Sequence, residues 1–195
     1  MMASRKKYRG SIRTRSQKPT AGLLRLTARN ILPFLKAIAG RRGYAAAWSR
    51  AVVAGDLDTM TKLLRRVAPE LAKNGLGTNG IGYFFSFPEP WPDYSCGTTI
   101  PPGSVQFHFS PVMHRLVAQA LIPYYRRLLA RPAYAARLAG ALRRQDRCEA
   151  NRLIKLGICS PLLRSVSVED GELRLTFKAR SGKYKYDHLL FPFLD

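Results

Sequence analysis

Apolar residues recur at helical spacing between Thr20 and Ala39, at Leu23, Leu26, Ile31, Phe34, Leu35 and Ile38, which predicts an amphipathic helix. Thr20 suits its N-cap. A second such stretch runs from Ser110 to Ala130, with Ser110 as N-cap and Pro111 at the first helical position. Pro33 and Pro123 fall inside these segments, where a missing N–H is expected to kink or divide a helix. Ala-rich segments follow at Tyr44–Ala54 and Ala133–Arg144, then third helices at Asp56–Val67 and Asp146–Leu156. Asp146 and Glu149 have the spacing of a capping box. Asp56 and Asp146 read best as N-caps, against the alternative of paired catalytic or metal-binding carboxylates.

The pattern then changes period. Gly82–Phe87 and Ser104–Phe109 read as strands, the latter by alternation of Val105, Phe107 and Phe109 with polar residues. The segment 88–103 contains five prolines and reads as a loop. Gly75–Gly80 is Gly-rich but has no following Lys-Ser/Thr, so it is not a phosphate-binding P-loop. Ser165–Val168 and Leu173–Phe177, flanking Asp170-Gly171, carry a hairpin signature, and Lys183–Leu190 is a third strand with Tyr184 and Tyr186 on one face.

Residues 25–64 and 115–154 match without gaps at an offset of 90 residues, with eleven identities over 40 positions. Pro33/Pro123, Tyr44/Tyr134 and Asp56/Asp146 are among them, which composition alone does not explain. The expected fold is α+β: an internal duplication of a three-helix block followed by a short antiparallel β section, related by a pseudo-two-fold axis. Residues 1–19 form a flexible basic arm, 20–110 the first repeat and 111–195 the second, the two repeats making one compact domain.

Charge decides the class of partner. The 195 residues contain 33 Lys and Arg against 12 Asp and Glu, a net charge of +21. The 46% hydrophobic content excludes a wholly disordered basic tail. Residues 1–18 carry seven bases and no acid, whereas 19–79 and 113–164 carry net +7 and +9. Residues 80–112 contain no Lys or Arg, and 165–195 carry five bases and five acids. The positive charge therefore concentrates in the arm and the two helical blocks. Five basic pairs coincide between the blocks: Arg25/Arg115, Lys36/Arg126, Arg41/Arg131, Lys62/Arg152 and Arg65/Lys155. With Arg5, Lys6, Lys7, Arg9, Arg13 and Arg15 of the arm, these are the candidate phosphate-binding residues.

The expected function is non-enzymatic binding of nucleic acid, as duplex DNA or structured RNA, through that duplicated surface and the arm. The alternative is a structural or adaptor protein docking on an acidic protein or an anionic membrane surface. The aromatic region 83–109 suits a core or a protein interface. A nuclease-like enzyme using Asp56, Asp146 or His108 is the third reading. Possible His108 partners are Cys96 and Ser110, and His188 adjoins Asp187, but no nucleophile–base–orienter pattern emerges and no catalytic residue is assigned. No cofactor or metal is expected: no cysteine forms a CxxC pair. Three scattered cysteines, with neither a signal-peptide pattern nor a membrane-length apolar run, suggest the cytoplasm.

Overall fold

The computed structural model describes residues 19–87, 94–169 and 171–192. Helices α1 (Ala21–Gly40), α2 (Arg42–Ala54) and α3 (Leu57–Arg65) lead through a 3-10 turn at Leu71–Lys73 to strands β1 (Leu76–Thr78), β2 (Gly82–Phe87) and β3 (Tyr94–Thr99). Helices α4 (Pro111–Ala130), α5 (Pro132–Arg143) and α6 (Arg147–Gly157) then precede β4 (Leu163–Glu169), β5 (Glu172–Phe177) and β6 (Tyr186–Pro192). The strands form one six-stranded sheet in the order β1-β2-β3-β6-β5-β4, with every pairing antiparallel.

Short polar side chains start four of the six described α-helices by satisfying N–H groups that have no partner within the helix. Thr20 Oγ1 accepts from Leu23 N at 3.1 Å and Ser110 Oγ from Met113 N at 3.3 Å. Asp56 Oδ1 accepts from Thr59 N at 2.9 Å, and Asp146 Oδ1 from Glu149 N at 3.0 Å. Neither proline divides its helix: α1 and α4 each run 20 residues. Pro33 and Pro123 lie on the exposed stripes, with Arg29 and Lys36 on α1 and Gln119 and Arg126 on α4. A carbonyl freed there can bond to water instead.

One face of the sheet receives the helices. Phe34 of α1 packs its ring 4.6 Å from Trp48 of α2, 5.5 Å from Tyr83 and 5.4 Å from Phe85, all fully buried. Helix α4 lies antiparallel beside α1: the Arg115 guanidinium, near its start, donates to Ala39 O at the end of α1 at 3.0 and 3.3 Å.

The proline-rich stretch is not wholly a loop. Residues 88–93 lie outside the described residues, but Tyr94–Thr99 is a central strand between β2 and β6. Its sequence lacks the usual apolar alternation because Ser95, Gly97 and Thr99 occupy the face opposite the helices, where Phe84 lies over Gly97. Conversely, Ser104–Phe109 forms no strand: Phe107 sits at φ 49° and turns the chain. Leu76–Thr78, within the Gly-rich turn region, pairs with β2, and the last strand begins at Tyr186 rather than Lys183.

A Cβ at Gly97 would stand 2.0 Å from Tyr83 O, a backbone atom that moves only with the strand. Gly97→Ala should therefore cost about 2–3 kcal/mol or more of unfolding free energy in urea titrations. A loss below about 0.5 kcal/mol would contradict this packing.

Candidate functional site

A chain of polar side chains crosses the interior between α4 and the sheet. His114 Nε2 lies 2.9 Å from the Tyr83 hydroxyl, which reaches Thr98 Oγ1 at 3.4 Å. Thr98 Oγ1 lies 2.9 Å from His188 Nδ1, and His188 Nε2 meets the Tyr125 hydroxyl at 2.5 Å. Cys96 Sγ closes the chain 3.4 Å from that hydroxyl and 3.6 Å from His188 Nε2. All six residues are buried. One ordering of protons gives every N–H and O–H donor of the chain an acceptor: His114 to Tyr83 to Thr98 to His188 Nδ1, then His188 Nε2 to Tyr125 to Cys96. It leaves His114 Nδ1 as a bare acceptor, and this nitrogen has no partner.

Burial in apolar surroundings disfavours charge on these groups. It pushes the Cys96 thiol up to about 12 and lowers both imidazoles to about 3, the neighbouring His188 contributing further at His114. The same burial raises Tyr83 and Tyr125. A protonated thiol sealed from solvent is inert as a nucleophile. The chain thus holds helix and sheet together. Beside it, Thr27, Tyr125 and His188 line a cavity with room for about one water, and Thr27 Oγ1 has no protein partner.

Among the described residues, none of the catalytic pairings suggested by the sequence is joined by a hydrogen bond, although His108 and Ser110 line one hollow. Cys96 meets His188, not His108. His108 packs on Tyr184 at a ring distance of 5.0 Å. His188 and Asp187 are successive strand residues and face opposite sides of the sheet; Asp187 accepts from Thr176 Oγ1 at 2.7 Å. Asp56 and Asp146 cap separate helices, and hydrogen bonds from Thr59 lower the Asp56 carboxyl. Among the described residues, no group of three His, Cys, Asp or Glu could hold a metal ion. No described helix is long and apolar enough to cross a membrane.

The candidate phosphate-binding residues of the arm, Arg5, Lys6, Lys7, Arg9, Arg13 and Arg15, lie outside the described residues. Of the others, Lys36, Arg41, Lys62, Arg65, Arg126, Arg131, Arg152 and Lys155 are exposed. Arg152 is engaged by Glu149 at 2.7 Å, and Glu149 is held at about 2 by hydrogen bonds first from Arg152 and then from Arg137. Arg115 is engaged by the α1 carbonyl. Arg25 is half-buried, and its Nε has no partner.

Helices α1, α2, α4 and α5 contain no acidic residue. Of their exposed cations, Arg29, Lys36, Arg42, Arg50 and Arg126 make no ion pair among the described residues, whereas Arg137 of α5 pairs with Glu149 at 2.8 Å and Arg143 donates to Pro19 O at 3.1 Å.

Two basic hollows bring in cations beyond the matched pairs, the first alongside Lys155 of one pair. One is a groove of about 460 Å³ between α6 and β4, lined by Arg147, Lys155 and Arg164. The other is a double cleft between the loop 101–110 and the segment 178–186. Its two parts, about 420 and 400 Å³, share Lys183 and Tyr184. The first adds Lys178 and Lys185, the second His108, Met113 and Tyr186. The sequence does carry a signal for this cleft, in Lys178, Arg180, Lys183 and Lys185 interleaved with Tyr184.

No family model matches the sequence, and neither a curated protein nor a solved structure matches it.

The two buried imidazoles set an acid limit. Their folded pKa values lie below the ordinary 6.5, so the unfolded chain binds more protons on acidification. Their contribution is complete above about pH 6.5 and is lost as pH falls toward about 3. The groups hydrogen-bonded to them are Tyr83, Thr98, Tyr125 and Cys96, and among the described residues no carboxylate bonds to either ring. Unfolding free energy measured in urea should fall by about 4 kcal/mol between about pH 7 and pH 5. A profile flat over that range would show that the imidazoles are not held neutral.

Proposed function

We propose that this protein binds nucleic acid through cationic faces of its helical layer, extended by its basic N-terminal segment. The observation that carries the reading is the absence of any acid from α1, α2, α4 and α5, which leaves Arg29, Lys36, Arg42, Arg50 and Arg126 without an ion pair among the described residues. Concentrating like charge costs stability through self-repulsion, so a surface of this kind is understandable where a polyanion neutralises it. Arg suits phosphate by its forked, permanently charged guanidinium, and bound counterions released from the nucleic acid add to affinity.

The reading includes duplication of one helical-plus-β unit, with the copies facing each other across a pseudo-dyad. Several observations support it at the same offset of 90 residues. Thr20 and Ser110 cap α1 and α4, and Asp56 and Asp146 cap α3 and α6. Tyr44 donates to Leu63 O, and Tyr134 donates to Leu153 O. Leu76 opposes Phe85, and Val166 opposes Leu175. The strand order β1-β2-β3-β6-β5-β4 also reads alike from either edge. Lys36 and Arg126 would then be equivalent cations on neighbouring antiparallel helices, a disposition suited to the two backbones of a duplex.

Fluorescence anisotropy with labelled duplex DNA, across a salt series, tests this. Binding should weaken linearly on a log–log plot, and Lys36→Ala/Arg126→Ala should reduce the slope by about 2. A chain lacking residues 1–18 should retain salt-dependent binding at reduced affinity. Absence of binding by the full chain near physiological salt would overturn the reading, and complete loss on deleting 1–18 would overturn the helical assignment.

A further inference from the structure

We propose that the double cleft between the loop 101–110 and the segment 178–186 holds an unpaired nucleotide of a single-stranded nucleic acid. The base would lie against Tyr184 and His108, with phosphates on Lys178, Lys183 and Lys185. This rests on the nucleic-acid reading above and gives it a second, chemically distinct site.

The two parts of the cleft have complementary chemistry. One is walled by three lysines with Pro101 and Ser104, the other by His108, Met113, Tyr184 and Tyr186. Lys183 and Tyr184 belong to both, so the cationic and aromatic walls meet without a gap. No acid lines either part. At about 420 and 400 Å³, each falls in the roughly 300–1,000 Å³ range of small-ligand sites. A nucleotide has this same division between a flat π-face and an anion. Base–aromatic stacking beside a cationic track is how single strands are held without base-pair readout.

The walls are preformed. The backbone N–H of Ser110 donates to the Tyr186 hydroxyl at 2.8 Å, pinning the loop to the start of β6. Phe107, at φ 49°, holds a backbone conformation that bulky residues rarely adopt, next to His108. His108 and Tyr184 rings meet at 52°, and Lys183 Nζ stands 5.2 Å from the Tyr184 centroid. Both rings are only half-buried, which leaves surface for a further ring.

A duplex does not suit this cleft, because paired bases keep their faces stacked inside the helix. The helical faces differ: Tyr124 and Tyr125 of α4 are buried beneath the exposed Arg126, and Tyr134, over which the Arg127 guanidinium lies at 5.7 Å, is buried as well.

The test measures anisotropy of a labelled 12-nucleotide oligothymidylate and of a 12-base-pair duplex on the full chain, with inorganic polyphosphate as a base-free competitor. Tyr184→Ala should weaken oligothymidylate binding by about tenfold. Duplex affinity and polyphosphate competition should stay within about twofold, because neither presents a base face. Tyr184→Phe should restore single-strand binding. Lys183→Ala/Lys185→Ala should weaken the single strand more than Lys36→Ala/Arg126→Ala does. Should Tyr184→Ala unfold, photo-crosslinking of the native chain to a 5-iododeoxyuridine oligonucleotide decides instead, with Tyr184 or His108 as the expected adduct. Unchanged single-strand binding in folded Tyr184→Ala, equal losses for single strand and duplex, or adducts confined elsewhere would overturn the cleft assignment alone. Failure of both nucleic acids to bind the native chain would overturn the broader reading with it.

Discussion

The hydrogen-bonded chain from His114 to Cys96 is the constraint on which the rest of the molecule depends. Six polar side chains lie in an apolar interior, where each unpaired group would cost about 1–3 kcal/mol. Their mutual hydrogen bonds form only when β2, β3, β6 and α4 occupy their observed places. Thr98 faces His188 in one register, and a one-residue slip would turn His188 to the opposite face of the sheet. His114 and Tyr125 lie about 16 Å apart along α4, given the helical rise, and meet β2 and β6 respectively. The helix is thereby fixed in both direction and position. Helix α1 follows, since Arg115 of α4 holds the Ala39 carbonyl near its end.

That arrangement sorts the chemistry of the surface. The wide apolar arcs of α1 and α4 are committed to the sheet and to each other, so only narrow stripes with Arg29, Lys36 and Arg126 reach solvent. No acid on these helices neutralises them. Beyond the sheet's central strands, the hydrogen bond from Ser110 to Tyr186 holds a loop over the lysine-rich segment and brings aromatic and cationic walls together. Among the described residues the protein thus carries cationic helical faces and a recessed aromatic cleft, the two features on which the proposed binding of nucleic acid rests.

Much of the fold is legible locally. Thr20, Ser110, Asp56 and Asp146 announce helix starts because a cap acts through neighbours two or three residues away. Strand β3 is harder to read, since Gly97 owes its size to Phe84 and the backbone of another strand, and Ser95 and Thr99 share its face. The apparent strand at Ser104–Phe109 misleads because alternation alone does not reveal the positive φ of Phe107. Charge counted by block hides the cleft: Glu169, Asp170 and Glu172 offset Lys178, Lys183 and Lys185 in the sum while standing at the other end of the hairpin in sequence. Within the polar chain, Tyr83 and His188 lie more than a hundred residues apart in sequence, and no local pattern connects them.

Backbone amide chemical shifts of the full chain, followed as duplex DNA is added, test the central claim most directly. The account predicts shifts along the exposed stripes around Arg29, Lys36 and Arg126, with the amides of the buried strand β3 largely unmoved. Shifts confined to residues 1–18, or no shifts at saturating duplex, would contradict it.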